Sequence, residues 1–288
     1  CRIAGIFDPS AGNLPQRIVE MRDTMHRGGP DDAGVFVHPL LPLAFGHRRL
    51  SLIDLSAAGH QPMIDEELTI VFNGEIYNYL EIKKELLPHF QFQTQSDTEV
   101  LLNAYIYWGT DFLHQLNGMF SLAIWDKQEK TLFIARDRFG VKPFYYYADA
   151  QQFTFASEIK TLWASGIKKI RNQKVWANYL SFGTYGMPNE TFWDTIHQLP
   201  AGHFAVLSQE NLTTFKPQLW YDFVSRVQDT PVLEVSELKK QYTALLNDAI
   251  KLRFRADVPL GMNVSGGLDS STLIALIHKN LHTNKNIE

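Results

Sequence analysis

The sequence has a single cysteine among 288 residues, at position 1. No internal disulfide can form, which fits a reducing compartment. Positive charge is not in excess: 27 Lys and Arg stand against 31 Asp and Glu, a formal net charge of −4. A nucleic-acid binder usually carries a basic surplus, so nucleic acid is not an expected partner. No apolar run approaches the roughly 18–20 residues that a bilayer-spanning helix needs. No basic-then-apolar leader opens the chain. No membrane association is expected, and the cytoplasm is the expected location. Repeats and low-complexity tracts are also missing. What is present is globular: 45% hydrophobic and 20% charged residues supply enough apolar surface to offset chain entropy. The length suits one large domain or two ordinary ones.

Two patterns divide the chain. Up to residue 208, short apolar segments are separated by turns. Arg2–Phe7, Ala44–Leu50, Leu68–Phe72, Phe120–Trp125, Thr131–Arg136, Phe144–Tyr147, Phe153–Ala156 and Phe204–Leu207 read as strands, with helices near Gln16–Met25 and Tyr79–Leu87. That spacing predicts antiparallel sheets, an α+β domain over 1–208. Asn73-Gly74 reads as a tight turn closing its strand, because both residues tolerate positive φ. Ser96-Asp97-Thr98-Glu99 has the spacing of a capping box before the helix Val100–Trp108, which stops at Gly109. Residues 209–235 are polar, carry Pro217 and Pro231, and read as a linker.

From 236 to 288 the pattern changes. A long amphipathic helix runs from Ser236 to about Arg255. An apolar strand, Leu260–Val264, then leads through a Gly/Ser loop, Ser265–Ser271, into the helix Thr272–Lys279. Strand, glycine-rich loop and helix open a parallel α/β sheet. One such unit cannot bury both of its faces, so this second domain is expected to be incomplete.

Cys1 is the sharpest chemical feature. A thiol and a free α-amine on one residue place a nucleophile beside a base whose ordinary pKa is roughly 8. A lone cysteine is more often a small buried hydrophobe, but chain termini are seldom core. Arg49 could fork a carboxylate or be a strand-end surface charge. Asn73 and Gly74 could donate to a developing oxyanion or form an ordinary turn. Asp97 could receive a substrate ammonium or serve only the dipole of its helix. In the loop Ser265-Gly266-Gly267-Leu268-Asp269-Ser270-Ser271, backbone N–H groups and hydroxyls at a helix start favour phosphate. Asp269 could hold Mg²⁺ against phosphate oxygens. The charged stretch Ala135–Tyr146 reads as a hairpin turn without a catalytic role.

Taken in order, these segments resemble the glutamine-hydrolysing asparagine synthetase family. The resemblance rests on Cys1 with Gly5, Arg27…Gly29-Pro30-Asp31, His47-Arg48-Arg49-Leu50-Ser51 and Asn73-Gly74-Glu75-Ile76-Tyr77-Asn78. It continues through Ser96-Asp97-Thr98-Glu99, Ala135-Arg136-Asp137…Gly140…Lys142-Pro143, Ala156-Ser157-Glu158 and Asp257-Val258-Pro259 into Ser265–Ser271. Departures are the extra Gly28, Arg138 where proline is common, and the polar Asn263 before the loop.

The resemblance implies an N-terminal nucleophile (Ntn) amidohydrolase αββα sandwich, followed by the beginning of an ATP-pyrophosphatase domain. It implies that Cys1 attacks the glutamine amide and that Asn73 and Gly74 form the oxyanion hole. Arg49, Glu75 and Asp97 would hold the α-carboxylate and α-amine of glutamine. Ser265, Gly266, Gly267, Asp269, Ser270 and Ser271 would bind ATP and pyrophosphate with Mg²⁺ at Asp269. Ammonia would pass to an adenylated aspartate, a step of asparagine biosynthesis, and a homodimer is the expected assembly. Relatives that amidate another carboxylate, such as a sugar uronic acid, and non-catalytic regulatory relatives are the alternatives.

Overall fold

The computed structural model describes residues 1–10, 12–208 and 215–283, residues 280–283 for the backbone alone. Residues 209–214 of the expected linker lie outside the described residues. Among the described residues, twelve strands form two antiparallel six-stranded sheets. In chain order they are β1 (Arg2–Phe7), β2 (Asp32–Val37), β3 (Leu43–Arg49), β4 (Met63–Ile64), β5 (Leu68–Ile76), β6 (Gly118–Asp126), β7 (Thr131–Arg136), β8 (Tyr145–Ala148), β9 (Phe153–Ala156), β10 (His197–Gln198), β11 (His203–Leu207) and β12 (Gln218–Leu219). One sheet has the order β10-β8-β9-β1-β3-β2, the other β12-β11-β7-β6-β5-β4. The helices are α1 (Leu14–Asp23), α2 (Tyr79–Leu86), α3 (Asp97–Trp108), α4 (Phe112–Gln115), α5 (Ile159–Ala164), α6 (Gln173–Phe182), α7 (Phe223–Gln228), α8 (Val235–Arg253) and α9 (Leu268–Thr283).

Strand alternation builds the layers. In β1, Ile3 and Phe7 join Phe45, Val71, Trp125 and Phe155 between the sheets. Ala4 and Ile6 face the other way, onto Ile18 and Met21 of α1 and Leu162 of α5. In β5, Val71 lies between the sheets, while Ile70 and Phe72 pack with Leu86, Val100 and Phe112 of the helices behind. The result is the four-layer αββα sandwich expected of an Ntn amidohydrolase. Each fully buried Phe or Ile contributes roughly 1.5–3 kcal/mol.

The chain forms two compact units, Cys1–Phe223 and Val224–Glu288. The first extends past the last expected strand: β12 pairs with β11, and Trp220 is buried with its ring 6.2 Å from that of Phe120. The turn after β7 is a lock. Buried Arg136 donates to the carbonyls of Lys142, Leu199 and Gly140, while Asp137 accepts from the N–H groups of Phe120, Val141 and Lys142.

Three local expectations need correction. Asn73-Gly74 is not a turn: β5 runs on to Ile76, pairing Asn73 with Ser121, Gly74 with Phe120 and Glu75 with Met119. A β-carbon at Gly74 would meet the Met119 carbonyl oxygen at 2.2 Å, so glycine serves a close approach between strands there. The capping box is only half formed. Ser96 Oγ accepts from Thr98 N at 3.1 Å, but Glu99 caps Gln93 N and Thr94 N, both at 2.7 Å, instead of returning to Ser96. In the second unit, Leu260–Val264 is not a strand. A ladder needs a neighbouring strand; none pairs with this segment among the described residues, and Leu260, Met262 and Val264 are exposed.

Candidate active site

One pocket of the first unit is lined by Cys1, Arg49, Leu50, Leu52, Ile53, Gly59, Gln61, Phe72, Gly74, Glu75, Ser96, Asp97 and Thr98. Five of the six residues expected at the glutamine site therefore meet there. Cys1 arrives on β1, whose pairing with β3 and β9 fixes the terminus. Arg2 binds the Cys1 carbonyl at 2.7 Å and Glu158 at 2.9 Å, clamping the first peptide. The thiol lies 3.5 Å from the Leu50 carbonyl oxygen. Burial pushes the α-amine down from its ordinary value to about 5, with the charges of Arg2 and Lys142 adding to the effect and Glu75 and Asp31 opposing it. The amine is neutral at pH 7. Beneath it, burial and the nearby N-terminus push His47 down to about 3, so its neutral ring donates from Nε2 to the Phe72 carbonyl at 3.1 Å.

Strand parity sets the donor edge. Bonds from Tyr77 N to Asn117 O and from Lys127 N to Glu67 O show that the odd-numbered residues of β5 bond to β6. The N–H groups of Phe72, Gly74 and Ile76 point to the opposite edge, which β4 covers only as far as Ile70. There Phe72 N is taken by Gln61 Oε1 at 2.7 Å and Ile76 N by Asp97 Oδ2 at 3.1 Å. Gly74 N–H lies between them, on the pocket that Cys1 also lines. Its neighbour Asn73 is fully buried and does not line the pocket; its Nδ2 donates to Ser157 Oγ at 3.3 Å.

Arg49 is buried, and its guanidinium donates to the carbonyls of Ser56 at 2.9 Å, Ile53 at 3.3 Å and Asp54. It places a fixed cation against the pocket and ties down the loop over it. The Asp54 carboxylate accepts from Gln95 N at 2.9 Å, joining that loop to the start of α3. Asp97 sits in the first turn of α3. Burial pushes its carboxyl up to about 7, opposed by the Ile76 N–H and reinforced by Glu75. Sequence reasoning missed Gln61, whose side chain spans Phe72 N and Thr98 Oγ1. It also missed Lys142, whose charge acts on the α-amine. Gln61 lies in none of the family motifs, and Lys142, though part of the Gly140…Lys142-Pro143 motif, acts on the amine across 141 residues of chain.

The phosphate-loop candidates lie in the second unit. Gly266 adopts φ +81, which glycine permits, and α9 starts at Leu268. Ser265 Oγ bonds Ser270 Oγ at 3.1 Å, and Ser270 Oγ donates to Gly267 O at 3.2 Å. Asp269 is exposed in the first turn of the 16-residue α9.

The family profile described as glutamine amidotransferase domain matches residues 1–221, and that described as asparagine synthase matches 241–286. Asparagine synthetase (glutamine-hydrolyzing) 3 of Bacillus subtilis is 35% identical over 268 residues, covering 91% of this chain and 42% of its own. Asparagine synthetase (glutamine-hydrolyzing) 1 of the same organism is 35% identical over 294 residues, with coverage of 98% and 45%. The chain thus spans about half the length of the curated relatives it matches. In fold it is similar to the glutamine phosphoribosylpyrophosphate amidotransferase of B. subtilis complexed with ADP and GMP. The TM-score is 0.56 at 18% identity, over 77% of this chain and 49% of that one.

Proposed function

The chain belongs to the glutamine amidotransferase domain family, and from that premise we propose that it hydrolyses glutamine at Cys1 to supply ammonia for asparagine synthesis. The observation that carries this is the shared pocket: Cys1, whose α-amine is neutral at pH 7, lines it together with Gly74, the cation of Arg49 and the acidic side chains of Glu75 and Asp97. The α-amine takes the thiol proton, and Sγ attacks the side-chain amide carbon of glutamine. The tetrahedral oxyanion is met by Gly74 N–H, and by the Asn73 amide once its Nδ2 leaves Ser157. The amine returns its proton to the departing nitrogen, giving ammonia and a γ-glutamyl thioester, which water converts to glutamate. Arg49 faces the α-carboxylate, while Glu75 and Asp97 face the α-ammonium.

The pH profile of kcat/KM tests these roles, since it reports groups of the free enzyme. The α-amine is a usable base only above its depressed value, so activity rises as pH climbs through about 5. Asp97 attracts an ammonium only when ionised, so activity rises again through about 7. Asp97→Asn is expected to remove the limb near 7 and keep the limb near 5. A mutant that keeps both limbs rules out Asp97 as the ammonium partner.

The acceptor chemistry is proposed from the match at 241–286 and the relatives' names. ATP would activate an aspartate carboxylate, with its phosphates at the loop Ser265–Ser271. The donor set fits that role: the hydroxyls of Ser265 and Ser270 lie 3.1 Å apart at the glycine bend, and the first turn of a 16-residue helix follows it. Asp269 would hold Mg²⁺, as a single carboxylate does when phosphate oxygens supply other ligands. In a protein carrying the whole synthetase region, Asp269→Ala is expected to abolish pyrophosphate release and leave glutaminase activity unchanged. Unchanged pyrophosphate release would exclude the phosphate role.

A further inference from the structure

Ser157 stands at a junction that no catalytic role yet accounts for. It follows β9, is 1% exposed, and touches both strands that carry the chemistry. Toward β1, its N–H donates to the Ile3 carbonyl at 2.9 Å and its Oγ accepts from Ile3 N at 2.9 Å. Ile3 is two residues from the nucleophile. Toward β5, the same Oγ receives Asn73 Nδ2 at 3.3 Å. Glu158, the next residue, holds Arg2, which in turn holds the Cys1 carbonyl.

The hydrogen-bond inventory is unbalanced as it stands. Ser157 Oγ accepts two N–H groups, while Asn73 Oδ1 is buried with no partner. A hydroxyl both donates and accepts, and a carboxamide turned by 180° exchanges its oxygen and nitrogen at nearly the same shape. With the Asn73 amide turned, Ser157 still accepts from Ile3 N and donates its own proton to Asn73 Oδ1. The buried oxygen is then satisfied, and the unpartnered end of the amide becomes Nδ2, a donor in place of an acceptor. Asn73 Nδ2 is released from Ser157 at the same time and becomes free to donate elsewhere.

We infer that Ser157 is a positioning residue that sets the orientation of the Asn73 amide against the residue-1 nucleophile. It rests on the proposed glutaminase reaction, in which Asn73 donates to the oxyanion. It adds that the donor is selected by one hydroxyl, which registers β1 and β5 together.

The test is steady-state glutamine hydrolysis by wild type, Ser157→Ala, Asn73→Ala and the double variant, with thermal melts of each. An oxyanion donor is typically worth about 10²–10³ in kcat. Ser157→Ala is therefore expected to lower kcat by roughly ten- to hundredfold with KM within about threefold of wild type. Because both residues serve one donor, the double variant is expected to be little worse than Asn73→Ala alone. A folded Ser157→Ala with wild-type kcat, or losses that multiply in the double variant, overturns the inference. So does a loss confined to melting temperature. In each of those results an active wild type leaves the glutaminase reaction standing. An inactive wild type overturns both.

Discussion

Cys1→Ala is expected to lower ammonia release from L-glutamine by roughly 10⁴-fold or more, while the unfolding midpoint stays within about 2 °C of wild type. The two halves of that expectation separate function from packing. The thiol's hydrogen bond is weak, 3.5 Å to the Leu50 carbonyl, and its side chain is only half-buried, so its removal costs the fold little. The terminus itself is held by Arg2 and by the pairing of β1, neither of which involves the side chain. Catalysis, by contrast, has no substitute nucleophile, because this is the sole cysteine of the chain. Ser in place of Cys keeps the amine and a poorer nucleophile, so Cys1→Ser is expected to lie between wild type and Ala. Paired measurements of ammonia release and thermal melting decide the matter. A melting loss as large as that of a core deletion would mean that Cys1 is structural.

Gly74→Ala is expected to damage stability and catalysis together. A β-carbon there would lie 2.2 Å from Met119 O and 2.8 Å from Phe120 Cα, both backbone atoms that no rotamer change can clear. The strands must part, at about 2–3 kcal/mol or a fall of roughly 5–10 °C in melting temperature. The same displacement moves the Gly74 N–H, so kcat is expected to fall by about 10²-fold. Calorimetry with glutaminase kinetics checks both effects. A stable, fully active Gly74→Ala would show that the β5–β6 approach is looser than described and that this N–H is not an oxyanion donor.

Gly74 also shows where the sequence stops being legible. Asn-Gly is locally a turn signal, and nothing within the dipeptide reveals that β6 will bind it across 46 residues of register. The apolar run Leu260–Val264 fails in the opposite sense: its composition suits a strand, but a strand exists only with a neighbour. Elements whose burial pattern is local were readable, as with β1, where alternate residues feed two different cores. Segment β2 was missed because only Gly34 within it is buried, so no alternation stands out.

The residues of the site were legible through ordered motifs, while their arrangement was not. The pocket gathers positions 1, 49, 50, 52, 53, 59, 61, 72, 74, 75 and 96–98, and only the two-sheet topology makes them neighbours. The shifts of the α-amine and Asp97 come from that burial, so neither follows from residue type. The dual use of Arg49 is equally non-local: it keeps a cation at the pocket and anchors the 53–56 loop with the same guanidinium.

The most direct measurement of the central claim is ammonia release from L-glutamine by the chain with a free Cys1 amine, set against the same chain with that amine blocked. A neutral α-amine acting as base predicts equimolar glutamate and ammonia from the free chain, and a rate lower by about 10²-fold or more from the blocked one. Equal rates from both, or no release above the uncatalysed background from the free chain, would contradict it.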